Sequence, residues 1–231
     1  MAHGLRQLVA FTLCLLTTLG ASVAAAANPT VNVEVFRPSP HQGDLVNVQG
    51  SNLPDDSVWT TSLTLSYGKN PLVFINALNQ KRDEIVQDRV VMDLMGSFSL
   101  FKWIDVGVAL PIVLVNTGER DFTDAIVGDF ASAGMGDIRL SPKVRIVHRD
   151  EDDQGFGLAV DSLFVLPTGD PEGFVSDGFS WQPSLIADVK WGALHLAANL
   201  GARFRDPQKL VFVDVSHEMS YGLGAAYRIV G

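Results

Sequence analysis

The sequence predicts an all-β protein: an N-terminal signal peptide followed by an antiparallel transmembrane β-barrel with about eight strands present. Three observations predict this fold class. Segments of about ten residues alternate between apolar and polar side chains, aromatic side chains stand at the ends of the apolar faces, and short and long connections alternate along the chain. The eight strands either close by themselves or belong to a larger barrel that is incomplete in this chain.

Residues 1–27 are predicted to be a secretory signal peptide. Arg6 precedes an apolar run of about twelve residues, and the small-residue stretch ASVAAAA follows it. The run is shorter than the roughly 20 residues that a membrane-spanning helix needs. Cleavage would remove Cys14, the sole cysteine, so the mature chain could form no disulfide. It would also remove Arg6 and lower the net charge from −9 to −10, so nucleic acid is not an expected partner.

The first expected strand covers residues 58–67, with the sequence VWTTSLTLSY. A period of two places Trp59, Leu63, Leu65 and Tyr67 on one face and a row of serine and threonine on the other. A half-buried strand of a soluble protein also alternates, but aromatic residues at both ends of the apolar face favour a strand that crosses a bilayer. The preceding residues, 28–57, are expected to form an N-terminal periplasmic segment.

Seven further segments repeat this alternation within the barrel domain, residues 58–231. In chain order they are 89–100, 104–112, 137–147, 156–166, 179–190, 193–204 and 218–230. The face that carries the charges is also rich in glycine and alanine, which indicates a crowded interior rather than a solvated surface. Pro142 stands inside segment 137–147 and predicts a bulge there, because a closed ladder leaves no place for a missing N–H.

The expected connections alternate in length, as in outer-membrane barrels with short periplasmic turns and long extracellular loops. The long ones are 68–88, 116–136, 168–178 and 205–217, and the short ones are 101–103, 148–155 and 191–192. The acidic stretch 149–153 lacks the spacing of a calcium-binding loop, so it predicts a solvated turn.

The two faces predict two sets of functional residues. Lumen-facing charges are expected at Asp93, Asp105, Asp137, Arg139, Lys143, Arg145, Asp161, Asp188, Arg203, Glu218 and Arg228. Because both signs are present, these charges could pair into a plug in a narrow barrel or line a water-filled pore in a wider one. Membrane-interface aromatics are expected at Trp59, Tyr67, Phe98, Trp181, Tyr221 and Tyr227.

Several stretches together are similar to a known family. From about Val31 onward, VEVFRPSP, NPLVF, DVGVALPIVL, GMGDIRLSPKVRI, FVLPTGD, LAANLGARFR and SYGLGAAYRI resemble the N-terminal barrel of a branch of OmpA-family outer-membrane proteins. The resemblance implies a barrel followed by a periplasmic peptidoglycan-binding domain. The sequence stops at Gly231, directly after a strand, so peptidoglycan is expected as a partner only through a domain absent from this chain, and full-length relatives are expected to add strands.

The function expected from these features is that of an OmpA-like protein of the Gram-negative outer membrane, with a structural or passive-diffusion, porin-like role. Outer-membrane lipid and the barrel-assembly machinery are the expected partners, with no catalysis, cofactor or metal. The first alternative is a soluble secreted β-barrel that binds a small apolar ligand. The second is an outer-membrane lipid-modifying enzyme with His195 or His217 as base, although the consecutive residues 216–218 point to opposite faces and cannot form a triad.

Overall fold

The structure is a computed structural model, and it describes most of the predicted barrel domain and part of the segment before it. The described residues are 32–34, 36–42, 45, 47–54, 57–75, 82–118, 131–149, 153–170, 176, 178–210 and 213–229. The predicted signal peptide lies outside them. None of the described residues forms a helix long and apolar enough to cross a membrane.

The protein is all-β, and its main sheet is antiparallel and curled into a half-barrel. Its elements are β1 (Trp59–Ile75), β2 (Arg82–Leu100), β3 (Ile104–Thr117), β4 (Gly134–Met135), β5 (Ile138–Val147), β6 (Gly155–Leu166), β7 (Ser180–Trp191), β8 (Leu194–Arg205), β9 (Gln208–Leu210), β10 (Val213–Val215) and β11 (Glu218–Tyr227). Eight strands follow one another in the order β1-β2-β3-β5-β6-β7-β8-β11, β4 pairs with β3, and β9 and β10 form a separate hairpin. Among the described residues, β1 and β11 are the two edges of the curled sheet.

All eight predicted strands are present. Along each of them the alternation of apolar and polar residues in the sequence corresponds to an alternation of exposed and buried side chains in the structure. Along β3, for example, Asp105, Gly107 and Ala109 are buried, while Val106 and Val108 on the other face are partly or fully exposed. Buried residues occupy the concave side of the half-barrel and exposed apolar residues the convex side. The usual arrangement of a soluble sheet is therefore inverted, with charge inside and apolar side chains outside.

The first connection differs from its prediction as a long loop over residues 68–88. Both strands continue through most of it, and only residues 76–81 separate β1 from β2. Two register shifts, between Lys69 and Leu72 and between Leu72 and Phe74, interrupt the ladder, and Asn70 has a φ of 52°. Each irregularity breaks the alternation of side chains between the two faces. The period-two pattern of the sequence therefore ends at Tyr67, although the strand continues beyond it.

The bulge predicted at Pro142 is absent, and that prediction is wrong. On one side Pro142 pairs with Val106 of β3. On the other side the ladder with β6 runs through Leu140↔Phe164 and Lys143↔Asp161 in an unbroken register. Because proline lacks an N–H, the ladder loses one hydrogen bond with one neighbouring strand, and the residue pairs on either side of Pro142 keep the strands in register.

The two turns that join β2 to β3 and β7 to β8 are tight, as predicted. Gly192 opens a two-residue turn between the paired residues Trp191 and Leu194, and its φ of 60° is typical of the first central position of a type II′ hairpin. Phe101 and Lys102 take φ values of 56° and 60° in the other turn, which is uncommon for residues with a side chain. Both turns lie at the same end of the sheet, because the strands alternate in direction.

The described part of residues 32–54, hereafter the N-terminal segment, lies against the concave side of the sheet. Its Val33 and Leu53 are buried, and the carbonyl of Leu45 accepts a hydrogen bond from the N–H of Val48, 3.0 Å away. The sequence pattern predicts no contact between this segment and the sheet. The segment nevertheless positions the polar groups described below.

The predicted interface aromatics lie on the convex side. Trp59, Tyr67, Tyr221 and Tyr227 are exposed, and the ring of Trp59 lies 4.3 Å from that of Phe98 on the neighbouring strand. A second row crosses three adjacent strands: the ring of Trp181 stands 6.4 Å from Phe164 and 5.5 Å from Phe204. Aromatic pairs at such distances attract one another beyond their burial, so these rows also tie neighbouring strands together.

Candidate functional site

The candidate site is the concave side of the half-barrel, where charged residues of the sheet meet the N-terminal segment. Eight of the eleven predicted lumen charges are buried there: Asp93, Asp105, Asp137, Arg139, Lys143, Asp161, Asp188 and Arg203. Arg145 is half-buried, and its guanidinium donates to the carbonyl of Lys102 in the β2–β3 turn. Glu218 and Arg228 are exposed, because β11 is an edge strand in the described structure and Arg228 follows its last residue.

His41 of the N-terminal segment is held between three strands of the sheet. Its Nδ1 lies 2.6 Å from Oδ2 of Asp105, and its Nε2 lies 2.9 Å from Oγ of Ser141. Ser141 in turn donates to Oδ1 of Asp161 over 2.6 Å. The side chains of His41 and Asp105 have no accessible surface, so the contact is completely enclosed.

The directions of these hydrogen bonds fix the charge of His41. A carboxylate only accepts, so Nδ1 must donate to Asp105. Ser141 gives its one proton to Asp161, so its oxygen can only accept from Nε2 of the histidine. Both ring nitrogens therefore carry a proton, and His41 is an imidazolium.

The same argument separates this cluster from a catalytic triad. Asp105, His41 and Ser141 are connected in the order of an Asp–His–Ser triad, but such a triad needs a neutral imidazole that accepts the serine proton. Here the serine proton points to Asp161 and the imidazole has no free lone pair. Asp105 and Asp161 instead hold the positively charged imidazole of His41 between their two carboxylates.

The pKa of His41 agrees with this assignment. Burial acts to lower it, but the hydrogen bonds to Asp105 and Asp161 outweigh burial and raise the pKa above the ordinary value of 6.5. Lys143 also lowers it through charge repulsion, and Asp161 raises it through attraction. The carboxylates therefore hold the proton on the imidazole against both burial and the nearby lysine.

Ser51 forms the second attachment of the segment. Its N–H and its hydroxyl donate to the two oxygens of Asp188, over 3.0 and 2.6 Å. Asp188 also accepts from Nη1 of Arg149 and from Nε2 of His195, each 2.9 Å away. One buried carboxylate thus joins the segment, the β5–β6 turn and β8.

The role of Arg149 corrects the prediction of a solvated turn. Arg149 is buried and bound to Asp188, and it also pairs with Asp153, at 2.9 Å from Nε. Lys190 of β7 reaches the same Asp153. The two described ends of this stretch, Arg149 and Asp153, are therefore fastened to the sheet by ion pairs, which the acidic composition alone does not predict, and residues 150–152 lie outside the described residues.

Gln49 forms the third attachment, and it makes the segment resemble an added strand at one point. Its N–H donates to Oδ1 of Asn199 over 2.7 Å, and its carbonyl accepts from Nδ2 of Asn199 over 2.8 Å. The side-chain amide of Asn199 thus pairs with the backbone as a neighbouring peptide group would. The Gln49 side chain also donates to Asp161, 3.2 Å away.

Asp137 acts on a loop rather than on the segment. Its Oδ1 accepts from the N–H groups of Thr168 and Gly169, at 3.1 and 2.9 Å, and from the hydroxyl of Ser176 at 2.8 Å. It therefore organises described residues that follow β6. Of the predicted lumen charges, Asp93 and Arg139 form an ion pair with each other.

The small residues of the concave side explain how the segment can lie so close. A Cβ on Gly107 would stand 2.4 Å from Cγ of Pro40, and one on Gly157 would stand 1.9 Å from Oγ of Ser51. Both distances are shorter than real Cβ contacts. The glycines that predict a crowded interior therefore mark the places where the segment touches the sheet.

Replacing Gly107 with alanine should destabilise the protein by about 1–3 kcal/mol, because the new methyl group must displace the ring of Pro40. The matched control is Gly68→Ala in β1, where a Cβ would meet no atom within 4 Å. Urea titration of the two variants, refolded in detergent and followed by tryptophan fluorescence, measures the difference. Equal stability of the two variants would contradict the close contact at Gly107.

No group of three or more His, Cys, Asp or Glu side chains that could hold a metal ion occurs in the part of the chain that the structure describes. Comparison of the chain with family models, with curated proteins and with solved structures finds no match. The resemblance to the OmpA family therefore stays a prediction from the motifs.

Proposed function

We propose that this chain is an outer-membrane β-barrel protein of OmpA-like type from a Gram-negative cell, with a structural or passive-diffusion, porin-like role. It would reach the outer membrane after cleavage of its signal peptide, with the barrel-assembly machinery and outer-membrane lipid as partners. The observation that supports this proposal is the inversion of the sheet, which buries charge on its concave side and exposes apolar side chains on its convex side.

The convex side is too apolar for a protein surface in water. Thirty large apolar side chains of the described residues are exposed, and β11 alone contributes Met219, Tyr221, Leu223 and Tyr227. Soluble monomers rarely expose continuous apolar patches beyond a few hundred Å². Lipid chains around the sheet would remove this cost, and the aromatic rows would then stand at the membrane interfaces.

The two alternatives fit the concave side less well. A soluble barrel that binds an apolar ligand needs an apolar interior, whereas this interior holds Asp93, Lys143 and Asp188 and is filled by the N-terminal segment. The hydrolase alternative has His195 or His217 as its base, and Nε2 of His195 lies 2.9 Å from Asp188, while the ring of His217 is exposed and lies 5.6 Å from that of Phe204. The concave side therefore supports neither alternative as well as it supports the proposed function.

The N-terminal segment favours a structural role over an open channel. It crosses the concave side and bonds to strands on both halves of the sheet, through Asp105 of β3 and Asn199 of β8. Of the two possibilities that the lumen charges leave open, the plug is therefore the one we propose. The proposal also requires that backbone groups at the free edges of β1 and β11 find partners, because a bilayer offers no water for them.

The test of the proposed function is partition of the expressed protein between membrane and soluble fractions. We expect it to fractionate with the outer membrane and to need detergent or lipid to stay dispersed, because the convex side would otherwise aggregate. Recovery of a monodisperse, detergent-free monomer from the periplasm would overturn the proposal.

Protease accessibility tests the sidedness of the proposed barrel. Trypsin added to intact cells should cut near Arg82 and Arg120, on the side of the long connections, and should spare Lys102 in the exposed β2–β3 turn. Arg149 is a poor reporter, because its burial protects it on either side. Permeabilised cells provide the control, in which Lys102 should also be cut. Cleavage at Lys102 in intact cells would mean that the sidedness is inverted.

A further inference from the structure

The two edges of the curled sheet are open. β1 and β11 end the order of eight strands, and no strand among the described residues pairs with the outer side of either. The exposure of their side chains reflects this position: Leu223 of β11 is 81% exposed, whereas Leu185 on the convex side of the inner strand β7 is 47% exposed. Backbone N–H and carbonyl groups of each edge therefore face outward, and a bilayer holds no water that could pair with them.

The docked N-terminal segment leaves no room for the sheet to close on itself. An eight-stranded barrel has an interior just wide enough for its own side chains. Here the segment extends from one edge to the other. A Cβ on Gly224 of β11 would stand 2.9 Å from Cδ1 of Leu45, and Phe36 of the segment lines one cavity together with Ser66 of β1. Each edge therefore needs a strand other than the opposite edge of its own sheet.

The two edges match each other in side-chain size and polarity. When Trp59, the first residue of β1, stands level with Tyr227, the last residue of β11, antiparallel pairing places Leu63 opposite Leu223 on the convex side. On the concave side the same register places the serine and threonine row of β1 opposite glycine and alanine of β11. Aromatic side chains thus meet aromatic ones, leucine meets leucine, and small residues face the crowded interior.

The direction of the strands determines how a second copy fits. Neighbouring strands of the sheet are antiparallel throughout, so β1 and β11 run in opposite directions. Two copies with the same orientation in the membrane can therefore form an antiparallel pair only between β1 of one and β11 of the other. A two-fold rotation about the membrane normal forms this contact twice and leaves no edge free. Because each sheet is a half-barrel, the two halves make one ring.

We propose that a second copy of this chain is the partner at both edges, and that two copies close one β-barrel of sixteen strands, eight from each copy. Each copy keeps its own N-terminal segment against its own half of the wall. Sixteen strands enclose a space as wide as that of a porin channel, so two segments fit where eight strands leave no room for one. The inference rests on the proposed function, because it is the bilayer that requires the edges to be paired.

Cross-linking between single cysteines tests this pairing, since Cys14 is the sole cysteine of the chain and can be replaced by serine. Leu63→Cys and Leu223→Cys are prepared separately in that background, mixed while unfolded, refolded into lipid vesicles and treated with a short bismaleimide. We expect a covalent dimer from the mixture and none from either variant alone, because like positions lie across the barrel from each other. The matched control mixes Leu223→Cys with Leu185→Cys of β7, an exposed position away from the edges that should give no dimer.

A chain that carries both Leu63→Cys and Leu223→Cys separates the possible partners. Closure by two copies gives a covalent dimer and nothing larger. A cross-linked monomer would show that the chain closes on itself, a ladder of larger products would show an open row of copies, and either result overturns the inference.

The two proposals fail in different ways. Protein that inserts into vesicles and yields no dimer from the mixture overturns this inference alone, whereas protein that does not insert contradicts the proposed function and the inference with it. Sedimentation of the unchanged protein in detergent gives a measurement that needs no variant. It should show the mass of two chains, and the mass of one chain would overturn the inference.

Discussion

Replacing His41 with glutamine should destabilise the protein by about 3–5 kcal/mol, the usual consequence of removing one partner from a buried ion pair. The variant leaves Asp105 and Asp161 enclosed without the imidazolium that bridges them. Urea titration measures the loss, and the control is His148→Gln, an exposed histidine of the β5–β6 turn that should change stability by no more than about 0.5 kcal/mol. Equal stability of the two variants would mean that His41 does not hold the segment.

The contribution of His41 should also depend on pH in one direction. Its pKa is raised in the folded protein, so its stabilisation is fully present below the ordinary value of about 6.5 and is lost as the pH rises through the raised value. The difference in unfolding free energy between the unchanged protein and His41→Gln should therefore shrink as the pH rises from neutral to alkaline. A difference that grows over this range would contradict an imidazolium at position 41.

Replacing Leu63 with arginine should cost about 2–4 kcal/mol of stability in a bilayer, as expected for a guanidinium at the midplane. Leu63 is 61% exposed on the convex side, in the first part of β1 and halfway between the aromatic residues Trp59 and Tyr67. The matched control is Thr61→Arg, on the same face and nearer the expected interface, where the cost should be smaller. Refolding both variants into lipid vesicles and titrating them with urea gives the two values.

The same pair of variants separates a membrane protein from a soluble one. On a protein surface in water, arginine at either exposed position should change stability by no more than about 0.5 kcal/mol. A small and equal effect of both substitutions in vesicles would therefore show that the convex side does not meet lipid.

The strands and their faces could be predicted because the side chains of a strand point alternately to its two sides, so alternate residues match the environment of each side. Val106 and Asp105 are neighbours in sequence and lie on opposite sides of the sheet. This alternation can be recognised in the sequence without knowing whether either side contacts lipid, water or protein. The same local reasoning failed where a bulge shifts the alternation, as beyond Tyr67, and at Glu218, whose exposure depends on the absence of a neighbour beyond β11 in the described structure.

The N-terminal segment could not be predicted, because its structure depends on residues far away in the sequence. His41 lies 64 residues before Asp105, and Gln49 lies 150 residues before Asn199. The segment has neither a period of two nor a helical period that would indicate its partner. The one available signal was indirect: Gly107 and Gly157 lie on the polar face, and glycines on an inner face indicate that another part of the chain packs closely against it.

These distances along the chain have a consequence for the order of folding. The entropy of closing a loop must be lost before a contact forms, so contacts of high sequence separation form late and slow the folding of the whole domain. The segment leaves the ribosome before any strand, yet the pairs that receive it exist only after β3, β5, β7 and β8 have assembled. The N-terminal segment, although it is made before every strand, is therefore the last to reach its native contacts, and until then its imidazole and amides must remain solvated while the sheet curls around the place that they will occupy.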